Sequence, residues 1–339
     1  MMTRTTPARP LDLSELFSGV NAFARTATRL HPRPGDPDVG GSHVGGRLLW
    51  PADEPWPVCA GPHVVRQETA IAPDLVARMQ AGDWAAMQQL ARDVPGFAGT
   101  MTTDQGSVAI GSVTVSEPTP SPMVAVAQLH AADVADLRCP DDADLLQVLW
   151  CPHQHRDGDY AGPAVQLRWR TASGVTTMLP TPPPPPTVAR EEDYLPRPCA
   201  LHPEQVVEYP WWQELPAELG QRIRQWDDSR QFGEETYFSV SQAPGWKVGG
   251  YANWEVSDLR PMDCPNCRQR IDLLLTISSS ESDGGSWMPV EESHLQPSWT
   301  DPQWRAVNEP TGITVGRRGD LRIFACFKCP ATPYRLNLQ

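Results

Sequence analysis

The sequence predicts an α+β protein dominated by strands, built as two related halves, with helices at the periphery and a pair of cysteine knuckles. Three observations predict it. Apolar runs of strand length, bounded by turn residues, recur along the chain, whereas helical periodicity is confined to a few stretches. A motif of a basic residue followed by Val-Gly-Gly occurs at His43–Gly46 and again at Lys247–Gly250. Two C-x-x-C pairs, Cys264/Cys267 and Cys326/Cys329, bracket the last strands.

The chain has 339 residues, enough for one large domain or two ordinary ones. It holds 37 prolines, about twice the usual share. That composition suits an ordered, loop-rich protein with short strands. Thirteen tryptophans argue for a folded chain and offer aromatic walls for a groove. The net charge is −13, lysine is scarce, and the arginines are scattered. A nucleic-acid partner needs a basic footprint, and an anionic membrane surface needs one too, so neither is expected. The N-terminus has no apolar run behind its first arginine, and no apolar stretch reaches membrane-spanning length. A cytoplasmic location is expected, where eight cysteines serve better as metal ligands and small apolar groups than as disulfides.

Residues 1–10 read as a disordered tail, 11–180 as an N-terminal half, 181–198 as a Pro-rich linker and 199–339 as a C-terminal half. Within the first half, the spacing of Leu13, Leu16, Phe17, Val20, Ala24, Ala27 and Leu30 predicts one helix that Pro32 and Pro34 end. A second helical region is expected over 73–93, with Asp83 capping its later part. Strands are expected at Val108–Val115, Met123–Gln128, Leu145–Trp150 and Ala164–Arg170. The run Pro182–Pro186 is a stiff spacer. After it, a helix is expected over Pro216–Trp226 and strands at Ile271–Ile277 and Leu321–Cys326, with an ordered excursion over 280–312. The repeated Val-Gly-Gly motif, each time ahead of an aromatic residue and an apolar strand, implies an internal duplication. Taken alone, each glycine pair is a tight turn that needs positive φ.

Ser42-His43-Val44-Gly45-Gly46, Trp56-Pro57 and Val126-Ala127-Gln128-Leu129 resemble the first half of YwqG-like proteins. Lys247-Val248-Gly249-Gly250-Tyr251, Leu273-Leu274-Leu275 and Gly319-Asp320-Leu321-Arg322-Ile323-Phe324 are similar to their second half. The resemblance spans roughly residues 40–330 as scattered motifs. It implies a bacterial cytosolic domain with an α+β fold, closest to a longer actinobacterial branch, and carries no catalytic residues. The four cysteines, the Pro-rich linker and the insertion at 58–120 depart from the simpler members.

Two residues between thiolates let one turn present both sulfurs to a single ion, and two such knuckles complete a tetrahedral shell. Cys264, Cys267, Cys326 and Cys329 are therefore expected to hold one structural zinc. A redox C-x-x-C sits where a strand enters a helix; here one pair precedes a strand and the other follows one. A looser set follows the strand at Leu145–Trp150 and the linker: Cys151, His153 and His155, then Cys199 and His202, with Cys59 and His63 upstream. From it, Cys151, His155, Cys199 and His202 form the candidate second metal site, against a reading of them as separate turn and core residues. The acidic pairs Glu191-Glu192-Asp193, Asp227-Asp228 and Glu234-Glu235 suit a solvated face. A ligand cleft between the halves is expected to gather His43, Gln128, Lys247 and Trp254. No Walker loop, nucleophile elbow or H-E-x-x-H is present. The expected function is a non-catalytic binding or interaction protein for an unknown protein or small-molecule ligand, carrying structural zinc. The alternative is a metal-dependent enzyme using the second Cys/His site near Cys151 and Cys199.

Overall fold

The structure is a computed structural model and describes residues 3–97, 99–103, 106–115, 120–184, 194–282, 285–298 and 300–339. It is α+β and strand-dominated, and its sheets are antiparallel throughout the described pairings. One sheet has six strands among the described residues. In spatial order they are Glu204–Glu208, Arg25–Arg29, Lys247–Gly249, Asp272–Ser278, Asp320–Ala325 and Tyr334–Leu338. The second sheet begins in the same way: Arg33–Pro34, Cys199–Ala200, His43–Val44, Val124–His130, Leu145–Asp157 and Tyr160–Arg170.

The registers run in parallel as well. Lys247 lies opposite Thr276, which faces Arg322, which faces Asn337. His43 lies opposite Gln128, which faces Gln147, which faces Arg168. On the other side, Lys247 pairs with Arg29 and that with Glu204; His43 pairs with Ala200 and that with Arg33. Both glycine pairs are left-handed, with φ of 64° and 70° at Gly45 and Gly46 and of 74° and 68° at Gly249 and Gly250. Only glycine adopts that conformation cheaply twice in succession, which is why the motif keeps both.

The second sheet extends beyond this frame. From Leu145–Asp157 it continues through His63–Ala70 and Gly106–Val115 to Gly99–Thr103. The helices Pro73–Gln80 and Trp84–Asp93 cover this insertion, where Leu90 and Val94 pack with Ile71 and Ala109. Asp83 caps the second helix as expected, accepting from the Ala85 N–H at 3.0 Å. Among the described residues the lobe pairs with the main sheet at one register position, Gln154 with Val64.

The largest core lies between the two six-strand frames. It joins Val44, Val126, Leu146, Val148 and Trp150 to Trp246, Val248, Leu275, Ile277 and Ile323. Among the described residues six tryptophans are buried: Trp50, Trp150, Trp246, Trp254, Trp287 and Trp304. Several spend their ring N–H on a carbonyl, as burial demands: Trp150 on Tyr194 at 2.8 Å and Trp246 on Ser278 at 2.9 Å. They are therefore core groups, of which Trp304 also lines a small cleft with Met288 and Leu295.

Three expectations change. The helix from Leu13 to Leu30 is a single turn at Leu13–Leu16, a 3-10 turn at Val20–Phe23 and then the strand Arg25–Arg29. Gly19 at φ 92° breaks the helix. Thr26 and Thr28, stiff at χ1, prefer the strand that Glu204–Glu208 and Lys247–Gly249 flank. The loose tail is tied down over its described part: the Thr6 N–H donates to Glu204 at 2.8 Å, Arg4 pairs with Glu292 at 2.6 Å, and Arg9 stacks over Trp287. The halves are also not separated at the linker. Arg25–Arg29 lies in the sheet built mainly from residues beyond 199, and Cys199–Ala200 lies in the other. Of the linker, residues 185–193, and with them Glu191, Glu192 and Asp193, lie outside the described residues.

Candidate metal centres

Cys264 opens a turn that a bridge between Asp263 and Arg270 closes. The Arg268 N–H returns to the Cys264 carbonyl at 3.0 Å, and Arg268 takes φ 60° to do so. That curl aims the N–H groups of Asn266 and Cys267 at the Cys264 sulfur, at 3.4 and 3.5 Å. Cys326 follows the strand Asp320–Ala325, and its N–H donates to the Pro333 carbonyl at 2.9 Å. Ala331 and Thr332, both at positive φ, turn the chain back beneath Cys329. The long stretch between the two pairs is thus spanned by neighbouring strands of one sheet.

The four sulfurs converge. Cys264 lies 3.8 Å from Cys329, and Cys267 lies 3.8 Å from Cys326. All four ligand atoms fall within 4.8 Å of one another. Thiolates about 2.3 Å from a tetrahedral ion stand about 3.8 Å apart, so this donor set fits one metal ion with no movement. None of these cysteines is in a disulfide. Burial pushes the Cys264 thiol up, but the N–H groups of Cys267 and Asn266 and the neighbouring thiols outweigh it and bring it down to about 6. Hydrogen bonding with Cys267, then burial, pushes Cys329 up to about 12. Without an ion, four sulfurs this close cannot all ionise; a dication removes that conflict. Trp254, Met262, Ile271, Leu273 and Phe324 form the apolar wall behind the site.

A second group of ligand type lies in the other sheet: Cys59, His63, Cys151 and His155, again within 4.8 Å of one another. The Cys59 sulfur is 3.6 Å from His155 Nε2, and the Cys151 sulfur is 3.5 Å from His63 Nε2. Gly61, at φ 91°, bends the chain so that Cys59 and His63 point the same way. The pairing of Leu145–Asp157 with Tyr160–Arg170 loses register between Trp150 and Gln154, and this bulge re-aims Cys151 and His155. His153 stacks on the His63 ring at 4.4 Å. Burial, and then the neighbouring His63 and His153, lower His155 to about 4, so its ring is neutral at neutral pH.

This grouping corrects the expected second site. Cys151 and His155 belong to it, but Cys199 and His202 do not. Cys199 is fully buried in the main core, where burial and then Glu281 push its thiol up to about 12. His202 sits past the strand Cys199–Ala200, its backbone N–H donating to the Leu30 carbonyl at 2.9 Å. The places belong to Cys59 and His63. A signal for them was present: Cys59 and His63 have the same three-residue interval as Cys151 and His155.

The expected cleft is not assembled. Lys247 is 3% exposed and pairs with Glu208 at 2.6 Å, while donating to the Tyr251 carbonyl at 2.9 Å. Gln128 is fully buried; it accepts from the Leu49 N–H at 2.7 Å and donates to the Val39 and Gly41 carbonyls. His43 is fully buried with its pKa lowered by burial, and Trp254 belongs to the wall of the four-cysteine site. Val44, Ala127 and Val248 face the core between the sheets, and the chain around each glycine turn folds over the opposite faces, where its backbone holds Gln128 and Lys247. A cleft of about 200 Å³ beside the second glycine turn, lined by Phe23, Arg25, Glu214, Tyr251, Arg270 and Phe324, contains none of the four. The acidic pairs act locally: Asp227 caps the Tyr237 N–H at 2.6 Å and Glu234 accepts from the Gln231 N–H at 2.7 Å.

Among the described residues, no helix is long and apolar enough to cross a membrane. No family model matches the chain, and no curated protein matches it.

Proposed function

We propose that this chain is a non-catalytic, cytoplasmic binding or interaction protein whose six-stranded sheet is fastened by a structural zinc at Cys264, Cys267, Cys326 and Cys329. The observation that carries the reading is the closed shell of four sulfurs. It leaves no position for a substrate or an activated water, which a catalytic zinc keeps open. Zinc is favoured over other ions because an all-thiolate tetrahedral set suits it, and because the knuckle N–H groups stabilise thiolate charge. The net charge of −13 supports a protein or small-molecule ligand over nucleic acid. The paired glycine turns and the matching strand registers support an internal duplication, in keeping with the resemblance to YwqG-like proteins.

Cobalt(II) exchanged into the chain tests the closed shell. The expected result is a set of four-thiolate cobalt bands, absent from the Cys267→Ser chain, that do not change when azide or cyanide is added. A spectrum that shifts with either anion shows an open coordination position and removes the structural reading. Cys267→Ser is expected to lose that ion and lower the melting temperature by several degrees, because the metal binds the folded state alone.

A further inference from the structure

We propose that Cys59, His63, Cys151 and His155 form a second, mononuclear metal site of Cys2His2 type, the counterpart in the larger sheet of the four-cysteine site.

Two independent observations lead to it. The first is local geometry. A tetrahedral ion with sulfur at about 2.3 Å and nitrogen at about 2.05 Å sets sulfur-to-nitrogen edges of about 3.6 Å. The two observed edges are 3.6 and 3.5 Å. Both imidazoles approach through Nε2, and all four donors fit within the 4.8 Å span of one ion's shell.

The second is position. Cys326 lies four residues past Arg322, and Cys151 lies four residues past Gln147; Arg322 and Gln147 hold the same place in the two registers. Each of these cysteines has its own partner a short way on, Cys329 after Cys326 and His155 after Cys151. The other ligand pair leaves the loop after the glycine turn in both cases: Cys264 and Cys267 after Gly250, Cys59 and His63 after Gly46. A tryptophan follows each turn motif at the same distance, seven residues after Lys247 and after His43. Trp254 packs in the cluster that holds Cys264 and Cys326; Trp50 packs in the one that holds Cys151, with Cys59 against it. An arginine covers each ring, Arg322 over Trp254 and Arg170 over Trp50. Two sheets with one plan thus place four ligands of metal-binding type at the same corner.

The mixed donor set is chemically distinct from its counterpart. Two imidazoles and two thiolates suit zinc(II), and binding releases the two thiol protons to solvent. The ion would bridge the start of His63–Ala70 to the strand Leu145–Asp157, beside the register pair of Gln154 with Val64.

The test uses the full chain, grown with zinc and assayed for bound metal. Cys59→Ser and His155→Ala are each expected to lose one of two zinc equivalents. Cys267→Ser is expected to lose the other, so failure here is separable from failure of the four-cysteine reading. Zinc-edge X-ray absorption of the unmodified chain needs no variant to fold. Averaged over both ions, its shell is expected to hold three sulfurs for each nitrogen. A shell of sulfur alone, or Cys59→Ser and His155→Ala chains that keep the full metal content of the parent, overturns the second site.

Discussion

Lys247 has almost no water around it. Its ammonium is held by Glu208, which is fully buried and also accepts from the N–H groups of Ala243 and Tyr251 at 2.8 Å each. Burial lowers the Lys247 pKa, with Glu208 opposing that shift. Removing one member of such a pair strands the other charge, at a cost of about 3–5 kcal/mol. Lys247→Ala is therefore expected to lose about that much stability, read by urea unfolding; a loss below about 1 kcal/mol would show that water reaches Glu208. Glu281 supplies a pH dependence. Burial pushes it up to about 7, while Arg33 and the Trp246 N–H pull the other way. The folded state then holds this proton more tightly than the unfolded one. Its contribution is complete below the ordinary value of 4.5 and is lost as pH rises through about 7. Relative to Glu281→Gln, the parent chain is expected to gain up to about 3 kcal/mol as pH falls through that window. Unfolding free energies of both chains measured across it check this, and a constant difference would refute it. At this scale the four-cysteine set was legible, because C-x-x-C spacing is set by the ion itself. The buried polar set around His43, Gln128 and Lys247 was not, because a polar residue in a strand carries no mark of which face will be covered.

The two glycine turns show what an element demands of its sequence. A Cβ on Gly250 would run into the Glu208 carboxylate and the Ala27 side chain, besides paying for a left-handed backbone. Gly233 has a comparable φ of 88° with open space around it. Gly233→Ala is expected to cost about 1–2 kcal/mol from backbone strain alone. Gly250→Ala is expected to cost clearly more, because the clash adds to the strain. Thermal unfolding of the two variants compares them, and equal losses would mean that the Glu208 carboxylate can move aside. Turns, caps and apolar strands were readable because their signals are local: Asp83 before its helix, Gly after Gly, alternating runs between prolines. The helix expected over Leu13–Leu30 failed for the opposite reason. Its spacing was real, but Arg25–Arg29 gains two strand neighbours from residues some 180 and 220 positions away, and no local pattern records them.

For the whole molecule, each sheet carries one of the two candidate metal-ligating groups. The insertion lobe is joined to the larger sheet at Gln154 and Val64, next to Cys59, His63, Cys151 and His155. Stripping metal with a chelator is expected to leave the core between the sheets folded and to expose the lobe to cleavage at least several-fold faster. Limited proteolysis with and without zinc, with fragments located by mass, checks this; equal cleavage rates would mean that the lobe is fastened by its own contacts. The strands that cross between sheets bear on how such a chain is made. Arg25–Arg29 leaves the ribosome long before its neighbours at Glu204–Glu208 and Lys247–Gly249 are synthesised. Cys199–Ala200 joins Arg33–Pro34 to His43–Val44 only after the whole intervening stretch has been translated. Neither half can close on its own during synthesis, and distant pairings of this kind are slow to form. Both sheets thus stay open until residues 199–249 have been synthesised, and until then the nascent chain carries unpaired strand edges of the kind that invite aggregation.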